Sequence, residues 1–241
     1  MELVLFEHKD FCVINKPPGM LMHGLRSRPA DHAKTVAGIM GKRYPEIMRV
    51  GDDPVLRPGI VHRLDRETSG VVVVARSQYF FEYFKRLLMR HEVEKQYRGI
   101  VIGCVEGSGV INAPIGLIPG TTRRSVRGNR LKMVKEAVTE YEAMRCFTTS
   151  FGVFAELRLR PRTGRTHQLR IHCASIHHPI LGDALYGPKQ PELAAPRQML
   201  HAESIEFSLE DGNRVRFEAE LPADFQAVLE KLENSKGISN G

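Results

Sequence analysis

The sequence lacks any long apolar run. Its longest, Val71–Ala75, has five residues among 241, against the ~18 that a membrane span requires. Nor does it begin like a signal peptide, because Leu3-Val4-Leu5-Phe6 is interrupted at once by Glu7, His8, Lys9 and Asp10. Cysteine is scarce. Cys12, Cys104, Cys146 and Cys173 lie far apart with no CxxC spacing, which points to neither a zinc site nor the disulfide framework of a secreted protein. The expected compartment is therefore the cytoplasm, with no membrane association. Repeats and low-complexity linkers are missing too. What is present is ordinary globular usage, 42% hydrophobic and 26% charged, in a chain long enough to bury a core without staples. The reading is one catalytic domain over residues 1–233 followed by a flexible tail over 234–241, with no obligate protein partner and a monomeric state.

Acidic residues are missing from two stretches. Lys plus Arg number 35 against 28 for Asp plus Glu, a net charge of +7 with a pI near 9.4. The surplus is concentrated. Thr121–Lys135 carries Arg123, Arg124, Arg127, Arg130, Lys132 and Lys135 with no acid, and a second acid-free stretch carries Arg158, Arg160, Arg162, Arg165 and Arg170. One such run is as readily a solvated face as a binding site. Two runs flanking unusual motifs favour a phosphate backbone.

Patterning predicts an α+β fold. Leu3–Phe6 and Phe11–Ile14 read as short strands, the second stopped by Lys16-Pro17-Pro18-Gly19. Val71–Val74, β-branched throughout, reads as a strand buried on both faces. Ser77 can cap a helix running to about Arg90, with Phe80, Phe81, Phe84, Leu87 and Leu88 at helical spacing as core. Gln96–Ile102 and Val153–Leu159 return to strand patterning. Ile205–Leu209 and Val215–Ala219 flank Asp211-Gly212, a hairpin signal. Pro222 then opens a last helix with Phe225, Val228, Leu229 and Leu232 on one stripe. Strands outnumber helices without βαβ alternation, so the sheet should be mixed and largely antiparallel, flanked by helices.

Two segments carry chemistry. Arg57-Pro58-Gly59-Ile60-Val61-His62-Arg63-Leu64-Asp65-Arg66-Glu67-Thr68-Ser69-Gly70 precedes the buried strand, bracketed as a loop by Pro58, Gly59 and Gly70. Arg63 and Arg66 beside Asp65 favour an ionised carboxylate, either a nucleophile or a member of a surface ion-pair cluster. In Arg162-Thr163-Gly164-Arg165-Thr166-His167-Gln168-Leu169-Arg170-Ile171-His172, Gly164 and Thr166 mark a turn and a helix start. That helix would place His167 and Arg170 on one face and Leu169, Cys173 and Ile176 on its inner stripe. A metal reading of His167, His172, His177 and His178 is rejected, because a spacing of five aligns with neither helix nor strand; these histidines read as structural or RNA-contacting. Glu94-Lys95-Gln96-Tyr97-Arg98 begins a strand, where a lone Tyr is ordinarily a half-buried packing residue.

Taken in order, these blocks resemble the RluA-type pseudouridine synthases. The resemblance runs from Asn15-Lys16-Pro17-Pro18-Gly19 with His23, through H-R-L-D-x-x-T-S-G, K-Q-Y and G-R-T-H-Q-L-R-I-H, to His178-Pro179-Ile180-Leu181-Gly182-Asp183 and Tyr186-Gly187. It implies isomerisation of uridine in RNA, ribosomal or transfer, without metal or other cofactor. It also implies Asp65 as the catalytic aspartate, Tyr97 against the target base and Arg170 pairing with the aspartate. Arg63 matches the arginine that fills the space left by a flipped base. His62, Arg165 and His167, with Arg123, Arg124, Arg127 and Arg130, are the remaining expected RNA contacts. The catalytic pattern starts almost at Met1, leaving no S4-like module, so recognition would fall to the catalytic domain.

The chemistry suits the residues. Uracil must leave C1′, turn and reattach through C5, and extruding the nucleotide costs a few kcal/mol. Asp65 can add to C1′ or remove a C2′ proton, two routes the sequence leaves open. Tyr97 offers the base a flat face and a hydroxyl. Two other classes compete: a catalytically silent RNA-binding protein of the same fold, which would need no buried acid, and a glycoside hydrolase. The second normally needs two carboxylates, and Glu67 reads as solvent-facing.

Overall fold

Four successive valines leave a strand no polar face, and Val71–Val74 accordingly form the centre of a strand whose seven residues, Ser69–Ala75, are all buried. The computed structural model describes residues 3–24, 29–128, 130–188 and 195–235. In chain order the strands are β1 (Val4–Glu7), β2 (Phe11–Lys16), β3 (Ser69–Ala75), β4 (Glu94–Ile102), β5 (Ser108–Asn112) and β6 (Ile115–Leu117). They continue as β7 (Arg124–Ser125), β8 (Lys132–Lys135), β9 (Val138–Thr149), β10 (Gly152–Pro161), β11 (Leu200–Ser208) and β12 (Arg214–Glu218). The helices are α1 (Val36–Arg43), α2 (Gln78–Met89), α3 (Gln168–Ser175) and α4 (Ala223–Asn234). The fold is α+β, and no described helix is long and apolar enough to cross a membrane. Most of the anticipated tail, residues 236–241, lies outside the described residues.

The chain divides into two compact units, the first comprising residues up to Lys95 with Ala202–Glu220, the second Gln96–His201 with the residues from Leu221 onward. In the first unit the strand order is β1-β2-β3-β11, with β12 against β11. β2 and β3 are antiparallel, from Phe11 opposite Ala75 to Lys16 opposite Gly70. The β11–β12 hairpin turns at Asp211-Gly212, where Gly212 has φ +85° and Asp211 Oδ1 accepts the Asn213 N–H at 2.9 Å. Ser77 caps α2 by accepting the Phe80 N–H at 3.2 Å, and Phe80, Phe81, Phe84 and Leu87 are buried as the helical spacing predicts. Phe80 stacks on Phe11 with ring centroids 4.5 Å apart, and Phe84 meets Phe207 edge-on at 4.9 Å. Burial of each such ring contributes about 1.5–3 kcal/mol.

In the second unit the order is β4-β10-β9-β5, all antiparallel. The α4 stripe of Phe225, Val228, Leu229 and Leu232 packs with Ile100, Phe147, Phe154, Leu181 and Met199. Patterning places no strand between Ile102 and Val153, yet β5–β9 all lie there. Three of them, in the order β7-β6-β8, make a small separate sheet whose β7 and β8 fall within the first basic run. Cys104 and Cys146 form a disulfide, a pairing that the sequence reading did not suggest. Spacing could not show this, since Cys104 follows β4 whereas Cys146 lies on β9, and β10 pairs with both strands. Cys12 and Cys173 are free and buried.

Candidate active site

The Asp65 loop is strapped to the strand that follows it. The Ala75 N–H donates to Gly59 O at 2.9 Å, Ile60 bridges Val74, and the Val73 N–H donates to His62 Nε2 at 2.9 Å. Leu64 is buried, and the Thr68 N–H donates to Asp65 O at 3.1 Å, closing a turn around Arg66 and Glu67. Asp65 itself is half-buried, between exposed Arg63 and exposed Arg66. Arg66 pairs with Glu67 at 3.2 Å. Glu67 is half-buried rather than fully turned to solvent.

His62 is held neutral. Burial, followed by the charge of Lys95, pushes its pKa down to about 3, and its ring lies 5.8 Å from that of Phe84. Burial also pulls the Lys95 ammonium down to about 8. A neutral ring that accepts a β3 main-chain proton anchors the loop through its unprotonated Nε2.

The other predicted residues belong to the second unit. Tyr97 is on β4 opposite Leu159 and packs, half-buried, against a core that includes Leu157, Leu169, Ile180 and Leu200. Arg170, 5% exposed, lies on α3 and holds Asp183 by two hydrogen bonds, Nε–Oδ2 at 2.7 Å and Nη2–Oδ1 at 2.8 Å. Burial alone would raise the Asp183 carboxyl, but the Arg170 bonds and the N–H groups of Leu185 and Tyr186 hold it below its ordinary range. The sequence resemblance includes Asp183 without giving it a role. Its significance comes from the pairing, which a single sequence does not display.

His167 is placed differently from the prediction. It precedes α3 as its N-cap with φ 57°, rather than sharing a helix face with Arg170, and its Nδ1 lies 3.0 Å from Tyr186 Oη. The helix starts two residues after Thr166, and it is buried from Gln168 through Cys173 rather than along one stripe. Ile176 is only half-buried. Gln168 explains the shift: its Oε1 accepts from the Thr163 hydroxyl and the Arg165 N–H, so the turn before α3 is closed from inside the helix. His172 is structural, fully buried between Thr139 Oγ1 at 2.9 Å and Ala113 O at 3.0 Å, and burial lowers its pKa. Among the described residues no group of three or more His, Cys, Asp or Glu side chains could hold a metal.

The two basic runs separate. In the second, Arg158 and Arg160 pair with Glu142 at 2.9 and 3.5 Å, and Arg162 with Glu140 at 2.7 Å, across the β9–β10 ladder. Arg165 Nε donates to Glu136 O at 2.9 Å. The charges of Arg158, Arg160 and Arg162 are thus matched by acids within the protein, which corrects the reading of those three residues as a phosphate-binding surface. In the first run Arg123 donates to Leu185 O and Arg127 to Ser175 O, the latter at 3.1 Å. Exposed Arg130, Lys132 and Lys135 and half-buried Arg124 have no acidic partner among the described residues.

Comparison with known proteins supplies the context for these placements. The model of the RNA pseudouridylate synthase family matches residues 10–175. A Chloroflexus aurantiacus protein named as an uncharacterized RNA pseudouridine synthase is 37% identical over 226 residues, covering 91% of this chain and 66% of its own. A Nitrosomonas europaea protein named ribosomal large subunit pseudouridine synthase D is 34% identical over 240 residues, covering 96% and 65%. The chain thus spans just under two thirds of the length of these two relatives. The solved structure of human RNA pseudouridylate synthase domain containing 1 superposes with a TM-score of 0.73 over 98% of this chain and 96% of its own, at 22% identity, a likeness of fold. The match of the family model over most of the chain, together with the strapped H-R-L-D loop it includes, makes this chain a member of the RNA pseudouridylate synthase family.

Proposed function

We propose that the chain is an RNA pseudouridine synthase that isomerises specific uridines of ribosomal or transfer RNA. The observation that carries this reading is family membership over residues 10–175, a span that contains Asp65, Tyr97 and Arg170. In the isomerisation the N1–C1′ bond breaks, a C5–C1′ bond forms, C5 loses its proton and N1 gains one, so no oxidant, metal or cofactor is required. Asp65 acts on the sugar as nucleophile or base. Tyr97 faces the base and assists removal of the C5 proton, and Arg170 supports the reaction electrostatically. Arg63 takes the place of the flipped base, and His62, Arg165 and His167 are the other residues we assign to the RNA. Arg123, Arg124, Arg127 and Arg130 contact the phosphates. The enzyme works in the cytoplasm as a monomer without an obligate protein partner.

The test is direct. Purified protein is incubated, with chelator present, with total RNA and with ribosomal and transfer RNA transcripts, and pseudouridine is mapped. Conversion at defined sites by wild type, with none by Asp65→Asn at equal RNA affinity, supports the proposal. Tight RNA binding without conversion by wild type would make the chain a silent binder, and release of free uracil would point to a hydrolase.

A further inference from the structure

The side chain of Lys16, at the end of β2, is fully buried. An ammonium is costly to remove from water unless acceptors replace its hydration. Here Nζ donates to three main-chain carbonyls, Pro17 O at 2.9 Å, Met20 O at 3.0 Å and Arg66 O at 2.9 Å. Two of these belong to the turn Pro17-Pro18-Gly19-Met20. The third comes from the residue after Asp65, fifty positions along the chain. The tie is reciprocal, because Arg66 Nε donates to Gly19 O at 3.2 Å. Both loops spring from one rigid base, since Lys16 pairs with Gly70 in the β2–β3 ladder.

We propose that Lys16 is a positioning residue for Asp65: by gripping Arg66 O it fixes the turn that sets the direction of the Asp65 carboxylate. The proposal rests on the activity proposed above and deepens it. A main-chain bond closes the turn, Thr68 N–H to Asp65 O at 3.1 Å. Its two central residues carry charged side chains that partner each other at the surface. Such a turn would have several conformations of similar energy if nothing held it from below. A flexible lysine reaching up from a strand end is suited to that task, because its three N–H donors can meet carbonyls from different segments at once. Misplacement of a reacting group by about 1 Å can cost on the order of 100-fold in rate. Binding of the rest of the RNA does not depend on where that carboxylate points.

A residue that only stabilises the fold would, when replaced, lower the melting temperature and leave the rate per folded molecule unchanged. The discriminating variants are Lys16→Met, which keeps length and loses every donor, and Lys16→Gln, which keeps two donors on a shorter arm. Single-turnover pseudouridine formation, KM for the RNA transcript and melting temperature are measured for each. Amide hydrogen exchange is followed in peptides covering Leu64–Ser69 and Val71–Ala75. The expected result is a fall of about 10- to 100-fold in the single-turnover rate for Lys16→Met. A smaller fall is expected for Lys16→Gln, with KM within about threefold of wild type and faster exchange confined to Leu64–Ser69. A Lys16→Met rate within twofold of wild type overturns the proposal, as does a loss expressed entirely in KM. If Lys16→Met does not fold, Lys16→Gln decides by the same criteria; failure of both to fold assigns Lys16 to the scaffold and also overturns it. If wild type converts no uridine, the proposed activity fails on its own account, and unchanged exchange over Leu64–Ser69 would still dismiss the role of Lys16.

Discussion

The Arg170 guanidinium and the Asp183 carboxylate meet fork to fork, both side chains buried, through two charge-assisted hydrogen bonds of 2.7 and 2.8 Å. Asp183 Oδ1 also accepts the Leu185 and Tyr186 N–H groups at 2.9 and 3.1 Å. The carboxylate therefore orders the segment after Ile180 as well as the helix.

Breaking this pair from the acid side strands a buried guanidinium. Asp183→Ala is expected to cost about 3–5 kcal/mol in urea denaturation. Asp183→Asn should cost less, because an acceptor remains. The carboxyl is held below its ordinary value, so its contribution is present above that value and is lost as pH falls through the lowered one. Equal stability of Asp183→Asn and wild type at pH 7 would show that the charge contributes nothing.

His62 predicts acid sensitivity of the same sign in a different window. Its folded-state pKa is lowered from 6.5 to about 3, so the unfolded chain binds a proton that the folded one refuses. Stability is full above pH 6.5 and declines as pH falls toward 3, by roughly 2 kcal/mol between pH 7 and pH 5. His62→Gln keeps an acceptor for the Val73 N–H and does not titrate. Chemical denaturation at the two pH values should show a smaller difference for the variant; identical differences would remove His62 as the source.

RNA binding should discriminate within the first basic run. Arg123 and Arg127 are tied to protein carbonyls, whereas Arg124, Arg130, Lys132 and Lys135 have no acidic partner among the described residues. Each phosphate that is no longer neutralised should reduce the slope of log affinity against log salt by about 0.7–0.9. Replacing Arg124 and Arg130 by uncharged residues should therefore flatten the slope more than the same change at Arg123 and Arg127. An equal effect of both pairs would show that the arginine–carbonyl bonds break on binding.

Gly70, where β3 begins, has φ +117°, and an added Cβ would stand 2.1 Å from Ala202 O. Backbone strain and the clash act together, so Gly70→Ala should destabilise by about 3 kcal/mol or more. A melting temperature unchanged from wild type would mean that β3 and β11 can separate without penalty.

Much of this was legible in the sequence because the physics was local. Phe80, Phe81, Phe84 and Leu87 repeat at the helical period, and Ser77 caps its own helix. Val71–Val74 can only be a strand buried on both faces, and Asp211-Gly212 can only be a tight turn. β9 was not legible, since Glu140, Glu142 and Arg145 interrupt any apolar alternation. Their partners are Arg158, Arg160 and buried Glu156 on the next strand and Arg162 just beyond its end. The same nonlocality hid Asp183, the Cys104–Cys146 bond and the buried ammonium of Lys16. At the start of α3 the local signal misled: Thr166 looks like a cap, but Gln168 closes the turn instead.

The division of the chain also has a consequence for biosynthesis. The first unit takes its last strands from Ala202–Glu220, so β3 has β2 on one edge while its other neighbour, β11, is still unmade. Some 125 residues separate Lys95 from Glu220, about 6–25 s of translation. Throughout that interval the nascent polypeptide presents a valine-rich edge of unpaired amides and carbonyls, the kind of surface that recruits other strands. Shielding of that edge during synthesis would then bear on the yield of native protein.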